Sequence, residues 1–124
     1  MPLDLGAHAR AQRITGLALA ACDKAVQIVY ETTLRPAEKQ HQPWIDRVRG
    51  QLLAASRLLE AEIGSASGWL FGTRPLQPDI SAAVAWRFAH RMLGDMVMRS
   101  DHPALAAFSD RIEALPQLLS TPAE

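Results

Sequence analysis

Apolar positions recur along the chain with helical spacing. From Leu5 onward, Ile14, Leu17, Ala18, Ala21, Ala25, Ile28 and Val29 trace one face, while Arg10, Arg13, Asp23, Lys24 and Gln27 lie mostly on the other. This pattern predicts a helix over 5–31. Asp4, after Pro2-Leu3, is the expected N-cap. Thr32-Thr33-Leu34-Arg35-Pro36 reads as the break, because the proline pushes Arg35 out of the helical region. Residues 36–42 are a polar connector with room for one helical turn. Pro43 suits the first turn of a second helix, over 43–63, whose seam is Ile45, Val48, Leu52, Ala55 and Leu59. Gly50 costs that helix about 1 kcal/mol against alanine, a cost that close approach of a neighbouring helix would offset. Residues 64–68, all Gly, Ser or Ala, read as a loop.

The next stretch organises the rest. Trp69-Leu70-Phe71 meets a Gly-Thr-Arg-Pro turn, and a second proline leads into Asp79-Ile80. Ile80, Val84, Phe88 and Met92 recur every fourth residue, and Ala82, Ala83, Ala85 and Ala89 cover much of the remainder. A helix apolar nearly all round is normally buried, so the third helix, over 78–98, is expected at the centre. Asp101 as N-cap and Pro103 in the first turn open a last helix, over 102–115, with Leu105, Phe108, Ile112 and Leu115 as its stripe and Pro116 as its stop. The expected fold class is all-α, a bundle of four main helices.

Charge narrows the function classes. Thirteen basic side chains oppose thirteen acidic ones, for a formal net charge of zero. A nucleic-acid surface would need clustered basic excess, so nucleic acid is not an expected partner. The longest apolar run, Ile14 to Tyr30, is interrupted by Asp23-Lys24 and does not suit a membrane span. Cys22 is alone and can form no internal disulfide, and no signal peptide is visible, so a cytoplasmic setting is the simplest reading.

Little of the chain carries reactive chemistry. His8, His41, His90 and His102 have no partners at metal-ligand spacing, and no metal site is expected. His90 reads as a packed or hydrogen-bonded side chain and Cys22 as a small core residue. Glu60 and Glu62 lie two apart on a helix and do not face each other, so they form no catalytic pair. Arg87, Arg91 and Arg99 read as solvated edges or ion pairs.

The order WLFG-TRP-LQPDI-SAAVAWRF resembles the core signature of the C-terminal domain of cytosolic glutathione transferases. Leu70, Phe71 and Gly72 match its hydrophobic segment, and Asp79-Ile80 match the start of its buried helix. HARAQR, YETTLRP, PWIDRVRGQL and HPALAAFSDRIEALP are similar to further segments of bacterial members, so the resemblance spans nearly the whole chain. It implies a single helical domain over 1–124 that lacks the family's preceding thioredoxin-like domain. In the family that domain holds glutathione and supplies the catalytic Ser, Tyr or Cys. The resemblance therefore implies no catalytic residue and no cofactor in this chain, with glutathione as co-substrate of a full-length protein. It also implies that the chain supplies a hydrophobic co-substrate wall and contacts to the missing domain, and it is compatible with a homodimer. Candidate wall residues are Arg10, Arg13, Leu17, Tyr30 and Trp44.

Asp79 has a role that needs no family. At the third helical position its carboxylate can reach back to the N-cap N–H, where it also suits the helix dipole. The position where the family carries a capping hydroxyl is Leu76, which accepts no hydrogen bond; alternatively Gln77 is the cap and Pro78 the first helical residue. A non-catalytic helical protein-interaction module fits the neutral charge and apolar helices equally well; the third reading, the ligand-binding helical domain of a regulator, is weaker, because the order of Leu70, Gly72 and Asp79-Ile80 argues against it.

Overall fold

The computed structural model describes residues 5–64, 69–71 and 75–115. The expected Asp4 cap, the 65–68 loop, Gly72 and the Pro116 stop lie outside the described residues. Helix α1 (Leu5–Val29) continues into a π-helical turn (Tyr30–Leu34), and a short 3-10 turn (Ala37–Lys39) leads to α2 (Gln42–Ile63). Helix α3 (Gln77–Met92) is followed by a second 3-10 turn (Arg99–Asp101) and by α4 (Pro103–Glu113). The fold is all-α, as expected.

The predicted seams of α1, α2 and α4 form the core. Ile14, Ala18, Ala21, Ala25 and Ile28 meet Val48, Leu52, Ala55 and Leu59, with Leu105, Phe108 and Ile112 closing the cluster. Helix α3 packs on both α1 and α4 and is central. Its burial, however, is one-sided. Ala82, Ala83, Ala85, Trp86 and Ala89 are buried, whereas Ile80, Val84 and Met92 are 37%, 55% and 47% exposed. Alanines let neighbouring helix axes approach closely, and the bulky stripe would hold them apart. The small face therefore turns inward, and Ile80, Val84 and Met92 face solvent while Phe88 packs half-buried against the core.

Three boundaries also differ. The end of α1 does not break at Glu31: the widened turn carries the chain to Leu34, with Thr32 Oγ1 donating to the Ile28 carbonyl at 2.8 Å. Arg35 is then extended before Pro36, as the proline demands. Helix α3 stops at Met92 and not near 98, because the chain folds back to bury Val97 completely and His90 Nδ1 donates to the Val97 carbonyl at 2.7 Å. Asp101 does not cap α4: it sits in the 3-10 turn, and the N-cap residue is His102. Finally, no neighbouring helix approaches Gly50, where an added Cβ would meet nothing within 4 Å.

Candidate functional site

The start of α3 is a polar lock. Leu76 is the N-cap and Gln77 the first helical residue, so the alternative start at Pro78 is not adopted. Asp79 is fully buried; its Oδ2 accepts the Leu76 N–H at 2.9 Å and its Oδ1 accepts the Leu70 N–H at 2.8 Å. One carboxylate thus satisfies the cap and ties the Trp69–Phe71 segment to the helix. Only this half of a capping box forms, since the leucine side chain offers no acceptor. Asp79 is committed to folding.

Arg10 and Arg13 are drawn together by Glu62 at the end of α2. Arg10 Nε lies 3.1 Å from Oε1, Arg13 Nε lies 3.0 Å from Oε2, and Arg10 Nη2 also donates to the Glu62 carbonyl at 2.8 Å. The Arg10 guanidinium further stacks 5.3 Å from the Phe71 ring centre. The Arg13 hydrogen bond, reinforced by Arg10 and opposed by partial burial, holds the Glu62 carboxyl below the usual range. Leu17 is half-buried against the core. Tyr30 and Trp44 lie at the opposite end of α1, where both line an open groove of about 580 Å³. At about 1.5 Å per residue, Tyr30 lies roughly 25 Å along the axis from Arg13. The five candidates therefore form two groups and not one site.

Between those groups the outer face of α1 and α3 is apolar. Leu19 and Val84 are 65% and 55% exposed. A groove of about 400 Å³ runs between the helix ends, walled by Val26, Val29, Tyr30, Phe88 and Met92. A second, of about 350 Å³, sits nearer the start of α3, beside Leu19 and Pro78. Burial pushes the Cys22 thiol up, away from the reactive thiolate. No cluster of metal-binding side chains occurs, and no helix is long and apolar enough to cross a membrane, among the described residues.

The family model for the glutathione S-transferase C-terminal domain matches residues 42–111. The chain belongs to that family. Solved glutathione transferases share its fold over nearly its whole length. One, from Methylobacterium radiotolerans in complex with glutathione sulfonate, superposes with a TM-score of 0.86 at 26% identity, covering 98% of this chain and 56% of that one. A family member from Pseudomonas fluorescens Pf-5 with bound S-(propanoic acid)-glutathione gives 0.78 at 31% identity, covering 99% and 62%. The same organism's family member with bound glutathione gives 0.79 at 29%, covering 100% and 58%. The chain thus spans between 56% and 62% of the length of these proteins. No curated protein matches it.

Within this glutathione transferase C-terminal domain, the glutamates that the sequence reading set aside prove structural. They do not act as a pair. Glu62 clamps the two arginines, and Glu60 accepts the Ala104 and Leu105 N–H groups at 2.9 and 2.8 Å, capping α4 from another helix. No local signal pointed to Glu60: Asp101 was the expected acceptor, and the N-cap His102 makes no side-chain cap hydrogen bond. Arg87 and Arg99 form ion pairs with Glu113 and Asp110 at 2.9 and 2.8 Å, in line with expectation. His90 is likewise a packed, hydrogen-bonded side chain, stacked on Trp86 with ring centres 5.0 Å apart.

Proposed function

We propose that this domain completes a two-domain glutathione transferase, where its outer α1–α3 face meets a thioredoxin-like, glutathione-holding domain and walls a pocket for a hydrophobic electrophile. The observation that carries this is the exposed apolar stripe of Leu19, Val84 and Met92 with the grooves beside it. A stripe of this size needs a partner, and a domain joined to this one accounts for the remaining length of the related proteins. The reaction of the whole would be attack of a glutathione thiolate on the electrophile, with no nucleophile from this chain. Tyr30, shared between two grooves, is the residue best placed to shape the wall, with Leu17 packed against the core. Arg10 and Arg13, already paired with Glu62, serve by bracing α1 against α2. Homodimer formation and a cytoplasmic setting are part of the same proposal.

The test is to add glutathione and a chlorinated aromatic electrophile to the 124-residue chain alone and to the same chain joined to a thioredoxin-like domain. Turnover is expected only in the joined protein, and Val84→Glu should lower it by displacing the partner domain. Turnover by the short chain alone overturns the proposal. A joined protein that is stabilised but turns nothing over points to the interaction-module reading.

A further inference from the structure

Helix α2 and the connection from α3 to α4 enclose a cleft of about 460 Å³ that none of the roles above uses. Arg49, Leu53 and Arg57, spaced four residues apart, form the α2 side. Asp95 and Asp101 stand on the opposite side, with Met96 and Met98 between them. Two cations and two anions thus share one cleft. Yet none of these four side chains makes an ion pair or a side-chain hydrogen bond among the described residues.

The fold holds the two sides apart. Val97, in the middle of the acidic side, is fully buried, and its carbonyl receives the His90 Nδ1–H at 2.7 Å. The next carbonyl, of Met98, receives the Nδ1–H of His102 at 3.0 Å. Both imidazoles pack on Trp86, with ring centres 5.0 and 5.4 Å away. His102 is only 4% exposed and itself lines the cleft. The backbone of the acidic side is thereby pinned to the core at Val97 and Met98.

We propose that this cleft is a binding site for a small zwitterion with an apolar middle, a short peptide with both ends free. Its carboxylate lies against the guanidinium forks of Arg49 and Arg57, which suit planar two-point recognition. Its ammonium lies towards Asp95 and Asp101, and its side chains cover Leu53, Met96 and Met98. The volume is in the range of small-molecule pockets. A ligand bearing one charge only would leave the other pair of side chains unmatched.

The experiment is a two-dimensional NMR titration of the chain with the tripeptide Ala-Leu-Ala, and with its N-acetylated and C-amidated forms. The free peptide should shift the amides of residues 49–57 and 95–102 saturably, and each blocked form should bind about fivefold more weakly. Arg57→Gln should weaken the free peptide to a similar degree and leave the C-amidated form unchanged. Asp95→Asn should do the same for the N-acetylated form. Both side chains are exposed, so the variants keep the fold. Blocked peptides that bind as well as the free one, or no saturable shift in these two segments up to about 10 mM, overturn the proposal. The readout is binding without turnover, so its failure leaves the transferase proposal untouched.

Discussion

Helices α3 and α4 both begin with a carboxylate on their free N–H groups, but the two devices come from different places. For α3 the carboxylate is Asp79, three residues inside the helix it serves, fully buried, and shared with the Leu70 N–H. For α4 it is Glu60, contributed by α2 and separated from Ala104 by 44 residues. The first is a local solution that also recruits a distant loop. The second exists only after α2 and α4 have packed. The contrast shows why one helix start could be read from its own residues and the other could not.

The largest expected effect is at Asp79. Asp79→Ala leaves the part-buried Leu70 and Leu76 N–H groups without their acceptor and should cost about 3 kcal/mol in urea unfolding. A loss under about 1 kcal/mol would mean that water reaches these groups and that the lock is not what holds Trp69–Phe71 to α3. Glu60→Ala should cost less, about 1.5 kcal/mol, because Glu60, unlike Asp79, is only half-buried and solvent can replace its carboxylate. If the order of these two losses were reversed, the local device would be the weaker one.

Glu62 sharpens the comparison, since its carboxylate binds side chains and not a helix end. Glu62→Gln should cost about 0.7 kcal/mol at neutral pH. The folded carboxyl is depressed, so its stabilisation is complete above the unfolded glutamate range and is lost as pH falls through the depressed value. The difference in Tm between the protein and this variant should therefore shrink on acidification from about pH 5 to pH 3. A constant difference would assign the effect to packing. The smallest effect is a gain: Leu76→Thr restores a capping hydroxyl to α3 and should add about 0.5 kcal/mol after the loss of leucine contacts. A loss instead would show that Leu76 packs more than it fails to cap.

The order of the helices, the seams of α1, α2 and α4, the extended Arg35 before Pro36 and the reach of Asp79 to its N-cap were all determined by the sequence itself. Each depends on residues within a turn or two of one another, where periodicity and capping chemistry act directly. The family, too, was legible in the order of its short segments. The tertiary structure alone decided the rest. It turned the alanine face of α3 inward and its Ile80–Val84–Met92 stripe outward, because axis-to-axis distance, not total hydrophobicity, selects the buried side of a helix with two apolar faces. It set Glu60 on α4 and Glu62 on Arg10 and Arg13, and it placed Tyr30 and Trp44 far from those arginines. These are contacts between elements distant in the chain, and no local pattern encodes which charged residues on two helix faces will meet.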